Sequence, residues 1–284
     1  MSSMRRSAVG GALVFLCACA PRPAAERHEL KGQVLAVNLD RQEVVIRHED
    51  IPGFMPAMTM PFAVKDRALL AGRAPGDLVV ATLVVTDTSA WLERLTQTGY
   101  SRLAEPKAVT EAGALSPNDL VPDATFVDQD GRARRFAEWR GHALALTFIF
   151  TRCPLPDFCP ALDRSFARLQ ERVKADHGLG PMVRLLTISF DPEHDTPAVL
   201  EKHAAALGAD PGLWVYLTGE AAAIDAFGRH FGLLVEREGK DAGLTHNLRT
   251  AVIDPSGRLV RVWRGSDWAP EDVAAVLRKA ALGR

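Results

Sequence analysis

The segment Ala143 to Phe150 is apolar except for Thr147, and it constrains the fold more than any other stretch of the chain. A continuous run of this kind fits a strand covered on both faces, which requires helices packed on a sheet. The neighbouring sequence supplies those helices. Leu162, Phe166, Leu169 and Val173 recur at helical spacing, Val183 to Phe190 is the next apolar run, and Thr196-Pro197 opens a helix that Gly208 ends. Leu213 to Leu217, a helix carrying Ile224 and Phe227, a hairpin from Leu248 to Trp263 turning at Asp254-Pro255-Ser256-Gly257, and a last helix with Val273, Val276 and Leu277 continue the alternation. Upstream, Ala124 to Val127 and Arg134 to Phe136 flank Asp128-Gln129-Asp130-Gly131, a hairpin signal.

Strands alternating with helices, with Cys153 and Cys159 just after the first long strand, predict a thioredoxin-like α/β fold for residues 118–284. Residues 28–99 read differently, as short alternating runs with Val34, Val37, Val44 and Ile46, then a β-branched stretch from Leu78 to Thr86. Five strands in about seventy residues predict a small all-β barrel, closed and OB-like, because closure removes exposed edges. Residues 100–117, with Pro106, Gly113, Ser116 and Pro117, read as the linker between the two domains. A chain of 284 residues, 47% hydrophobic, can fill two cores. Its 34 Lys and Arg against 35 Asp and Glu leave no positive field to hold phosphates, so nucleic acid is not an expected partner.

At the start, Arg5 and Arg6 precede an apolar run from Ala8 to Ala18, the layout of a signal peptide. The run is about half the roughly 20 residues that a spanning helix needs. Leu16-Cys17-Ala18-Cys19 resembles a bacterial lipobox. That resemblance implies a lipoprotein signal peptide over residues 1–19, lipidation at Cys19, and a lipid anchor to the membrane on the periplasmic side of a bacterial cell envelope. Plain cleavage near Ala18 or Ala20 is the alternative.

With Cys17 and Cys19 so assigned, Cys153 and Cys159 remain in the folded protein. An exported pair can be a disulfide, a redox couple, or thiolates on a metal. Five residues separate the two, between the strand ending at Phe150 and a helix beginning near Pro160, and a helix N-terminus favours thiolate over thiol. The segments Phe150-Thr151-Arg152-Cys153-Pro154, Cys159-Pro160, Ser189-Phe190-Asp191-Pro192, Asp195-Thr196-Pro197, Thr245-His246 and Asp254-Pro255-Ser256-Gly257 together resemble the SCO/SenC family, thioredoxin-fold proteins that deliver copper during cytochrome c oxidase assembly. The resemblance implies Cys153, Cys159 and His246 as copper ligands. Two thiolates suit Cu(I), and an imidazole lets the site tolerate Cu(II). The family usually places three residues between its cysteines, so the five here are a departure. Asp191 and Asp195 surround Pro192 at a strand end, and Asp195 reads as part of a turn and helix cap.

In the first domain, Met58 and Met60 flank Thr59, so on a strand the two thioethers share a face; His48 ends the preceding run. The stretch Ile51 to Phe62 resembles the CusF-type periplasmic copper- and silver-binding domains, which implies His48, Met58 and Met60 as Cu(I) ligands. Where that family has a tryptophan over the metal this chain has Met55, so either Met55 adds a thioether or Phe54 caps the site. Thioethers bind soft monovalent ions and do not form disulfides.

The implied function is a copper metallochaperone rather than an enzyme, with cytochrome c oxidase subunit II or another cuproprotein as target. A thiol–disulfide reductase using Cys153 and Cys159, a peroxidase on the same fold, and a copper-tolerance buffer remain as alternatives.

Overall fold

In the computed structural model of the chain, residues 25–103, 113–176, 178–237 and 244–283 are described. The expected signal peptide with Cys17 and Cys19, half of the expected linker, and His177 lie outside the described residues.

The first part is an antiparallel sheet of β1 (Glu26–Asn38), β2 (Glu43–His48), β3 (Met58–Ala63), β4 (Asp77–Val85) and β5 (Ala90–Tyr100), in the order β3-β2-β1-β4-β5. Period-2 alternation sets which side chains face the core. Val44, Ile46 and His48 of β2 and Met58, Met60 and Phe62 of β3 are buried, while the residues between them are less so. The edge strands approach each other at an isolated parallel bridge between Val64 and Leu92. Gly32 of β1 lies opposite His48, and a Cβ there would stand 2.5 Å from the Arg47 carbonyl oxygen. Glycine at this position is what lets β2 come close enough to turn His48 inward.

The second part is a seven-stranded sheet covered by helices. Its strands in chain order are β6 (Thr125–Asp128), β7 (Ala133–Arg135), β8 (Ala143–Ile149), β9 (Val183–Ser189) and β10 (Trp214–Thr218), followed after a separate ribbon by β13 (Arg249–Ile253) and β14 (Leu259–Arg264). The spatial order is β14-β13-β8-β9-β10-β6-β7, with β8, β9 and β10 parallel. The ribbon pairs β11 (Val235–Arg237) with β12 (Leu244–His246). The helices are α1 (Cys159–Ala175), α2 (Pro197–Ala206), α3 (Ala221–Arg229) and α4 (Pro270–Ala281). Every residue of β8, β10 and β13 is buried, as the apolar runs require for strands covered on both faces. None of the helices is long and apolar enough, among the described residues, to cross a membrane.

Each sheet has its own core, and the two meet at the loop between the cysteines. Cys153 and Phe158 pack against both cores. Leu155, from the same loop, lies within the core of the five-stranded sheet and is 2% exposed. Full burial of a leucine side chain contributes roughly 1.5–3 kcal/mol, so the contact is a substantial join.

Candidate metal centre

Because β8 and β9 are parallel neighbours, their C-terminal ends lie side by side and the loops leaving them meet. Two carboxylates after β9 use that proximity to fix the approach to Cys153. Asp195, fully buried, accepts the Thr151 backbone N–H at 3.0 Å and the hydroxyls of Thr151 and Ser189. Asp191 accepts Arg152 Nε at 2.7 Å. The expectation that Asp195 caps the following helix is therefore corrected: its carboxylate faces the cysteine loop, and Thr196 stands at the N-cap of α2 with no side-chain capping bond. Three donors on a buried carboxylate explain why it is held there.

Cys153 and Cys159 are both free. Cys159 opens α1 with Pro160 behind it and is 1% exposed; that burial pushes its thiol up. The Cys159 thiol and backbone hydrogen bonds at Leu155 and Cys159 hold Cys153 below the usual thiol range, against its own desolvation. Of the two, the loop cysteine is thus the one that ionises more readily, and not the cysteine at the helix terminus.

His246, on β12, has its ring centroid 5.4 Å from that of Phe150 and 4.6 Å from that of Phe190. The residue is only half-buried overall, but the ring itself is desolvated between these aromatics, which pushes its pKa down to about 4. Its Nδ1 lies 3.1 Å from the Asn247 carbonyl oxygen, so Nδ1 carries the proton and Nε2 the lone pair.

His48 has the same polarity. Its Nδ1 lies 2.7 Å from the Glu49 carbonyl oxygen, and burial lowers its pKa. Nε2 is buried with no hydrogen-bond partner, an arrangement that costs free energy unless something accepts that lone pair. Met58 stands directly across the ladder from His48. A tight turn, with mutual backbone hydrogen bonds between Ile51 and Met55 at 2.7 and 3.0 Å and Gly53 at φ +73°, presents Met55. Phe54 instead stacks on His28 with ring centroids 4.0 Å apart, so of the two candidates for the tryptophan's place Met55 is the one that lines a pocket with Met58 and Met60.

Met55, Met58, Met60, Cys153, Phe158 and His246 line one pocket of about 10 Å³, the room that a single water or ion needs. The Thr59 N–H, between the two methionines, donates to Thr245 Oγ1 at 2.9 Å, and Thr245 directly precedes His246. The structure thus brings Cys153 of one part together with Met58 and Met60 of the other. Cys159 does not line the pocket, and among the described residues no group of three His, Cys, Asp or Glu side chains converges closely enough to hold an ion. Cys153, Cys159 and His246 are not closed on a common centre. Thioether, thiol and neutral imidazole donors lining a small, mostly apolar pocket fit a soft monovalent ion, while His48, with its orphaned Nε2, pairs with Met58 across the ladder but does not itself line the pocket. A separate groove, lined by Phe126, Pro192, Thr196 and Phe227, contains no sulfur side chain.

Sequence reasoning missed Leu155, Thr245 and the true role of Asp195. Leu155 had one usable signal, an apolar residue inside an otherwise Pro- and Asp-bearing loop.

Comparison with known proteins agrees with this architecture in both parts. Residues 112–282 match the SCO1/SenC family model, and residues 27–97 match the model of the copper binding periplasmic protein CusF. The SCO1 protein homolog of Bacillus subtilis (strain 168) is 30% identical over 158 residues, covering 55% of this chain and 79% of that protein. The mitochondrial protein SCO2 homolog of Bos taurus is 26% identical over 216 residues, covering 73% and 76% of the two chains. Among solved structures, BsSco, a member of the Sco family of cytochrome c oxidase assembly proteins, superposes with a TM-score of 0.51 at 26% identity, covering 60% of this chain and 98% of that one. A SCO1/SenC family lipoprotein from Bacillus anthracis str. Ames gives 0.52 at 24% identity over 59% and 99%, which supports the fold. With the family model spanning more than half of its length, the chain belongs to the SCO1/SenC family.

Proposed function

We propose that this protein is a copper-binding metallochaperone that supplies copper for cytochrome c oxidase assembly, held by a lipid anchor at Cys19 on the periplasmic side of the membrane. The observation that carries the reading is the pocket where Met55, Met58 and Met60 face Cys153 and His246. Copper is the cargo. The two ligand sets are Cys153, Cys159 and His246 in the thioredoxin-like part (118–284) and His48, Met58 and Met60 in the CusF-like part (28–99), with Met55 as a further thioether. Nε2 of each histidine is the coordinating atom, since each Nδ1 is committed to a carbonyl. Anaerobic Cu(I) titration of the chain from Glu26 onward, beside His48→Ala and Cys153→Ala, tests this. Each substitution is expected to remove part of the bound copper, and a chain that binds no Cu(I) would overturn the reading. Oxidase activity in a deletion strain under scarce copper separates delivery, where activity falls, from buffering, where it does not.

A second reading is favoured by the contact between the two free cysteines: a thiol–disulfide reductase with Cys153 as nucleophile and Cys159 as the resolving thiol. Reduction of a disulfide peptide by metal-free protein, abolished in Cys153→Ala, would support it.

A further inference from the structure

We propose that Cu(I) has a composite site at the junction of the two sheets, built from the thioethers of Met58 and Met60 on one side and the Cys153 thiolate on the other. The inference rests on the copper reading above and goes beyond it, because neither ligand set drawn from either domain alone contains this combination.

Three independent contacts hold the two halves in register. The first is the hydrogen bond from Thr59 N–H to Thr245 Oγ1, 2.9 Å, between residues 186 positions apart in the chain; it fixes the backbone between the two thioethers against the residue preceding His246. The second is Leu155, which carries the loop after Cys153 into the core of the five-stranded sheet. The third is Asp157, whose carboxylate accepts the Ala90 N–H of β5 at 3.3 Å and whose carbonyl accepts the Ser266 hydroxyl at 2.8 Å. The five residues between the cysteines therefore form a clasp, and Cys153 at its start is brought against both cores. The room left among the sulfurs suits one ion and little else.

Binding balances without a redox step. Cu(I) enters with its charge of +1, two thioether lone pairs and one thiolate are donated, and the Cys153 thiol proton is released to water. Three sulfur donors suit Cu(I), which accepts low coordination numbers and soft ligands. A site of this kind places copper in contact with both ligand sets at once, so it can move from thioether to thiolate without entering solvent.

A double-mutant cycle on Cu(I) affinity tests the proposal, since coupling energy distinguishes one shared ion from two separate ones. The chain from Glu26 onward is titrated anaerobically with Cu(I) against a bathocuproine-type chelator as wild type, as Met58→Leu with Met60→Leu, as Cys153→Ser, and as the triple variant. Folding of each is checked by circular dichroism. A shared ion predicts that each set lowers the affinity of the first equivalent at least tenfold and that the triple variant loses far less than the product of the two. Thr245→Val, which removes only the acceptor of the Thr59 N–H, is expected to weaken the first equivalent while leaving every copper donor in place. The proposal is overturned if each set removes one whole equivalent and leaves the other at its original affinity. Absence of any Cu(I) binding by the wild type would instead overturn the copper reading itself.

Discussion

Leu155→Ala should open the junction without unfolding either sheet. Leu155 is 2% exposed and packs in the core of the five-stranded sheet, although it belongs to the loop between Cys153 and Cys159. Truncating a buried leucine to alanine costs about 2–5 kcal/mol, the lower end where neighbours can relax into the space. Leu155 sits on a loop that can settle, so we expect about 2 kcal/mol. The contact joins two cores rather than filling one, so the loss falls on the docked arrangement. A loss of about 2 kcal/mol raises the undocked population about 30-fold. Cys153 is partly covered by both cores in the docked state, and its modification by an aromatic disulfide reagent in metal-free, reduced protein reports the opening. The variant should react faster, by up to about 30-fold, while urea unfolding of each core shifts little. A rate within twofold of wild type, together with a full loss in global stability, would show that Leu155 is ordinary core and that the loop is no clasp.

Three further outcomes follow from the geometry. Gly32→Ala places a Cβ 2.5 Å from the Arg47 carbonyl oxygen and 2.8 Å from the His48 Cα; it should push β2 outward, cost about 1–3 kcal/mol in urea unfolding, and weaken Cu(I) binding. Limited alkylation of the metal-free protein, read by mass spectrometry, should label Cys153 before Cys159, because the first is held below and the second pushed above the ordinary thiol range. For His246 the folded value of about 4 lies below the ordinary 6.5, so the unfolded chain takes up the proton first. Stability from this group is complete above pH 6.5 and is lost as pH falls toward 4. His48 acts in the same direction. Urea midpoints between pH 7 and 4.5 should fall, and His246→Asn should flatten that fall.

Much of the fold was legible because it rests on local rules. The apolar run at 143–150 specified a doubly covered strand, and β8 is buried throughout. Asp254 to Gly257 turned the last hairpin as its composition implies, with Gly257 at φ +85°. Period-2 spacing put Met58 and Met60 on one face, and both are buried with Thr59 between them less so. What was not legible depends on contacts distant in sequence. Nothing in Thr59 or Thr245 announces that they meet across 186 residues. Asp195 looked like a cap because it precedes Thr196-Pro197, but the parallel pairing of β8 and β9 turns it toward Thr151 instead. The ribbon of β11 and β12, three residues each, is too short to carry a periodic signal, and it is the element that positions His246. Which cysteine ionises more readily also depends on burial: Cys159 has the helix terminus, but it is enclosed, and its thiol serves as donor to Cys153. The five-residue spacing between the cysteines, a departure at the sequence level, has a structural use, since it gives Leu155 and Asp157 the reach to hold the first sheet.

Sulfur from both parts of the chain around one Cu(I) would have a direct spectroscopic signature. X-ray absorption at the copper edge, on protein carrying a single equivalent of Cu(I), measures those neighbours directly. The expected shell is dominated by sulfur and loses scatterers both in Met58→Leu with Met60→Leu and in Cys153→Ser. A shell of nitrogen and oxygen alone, or a sulfur shell that only one of those variants alters, would contradict it.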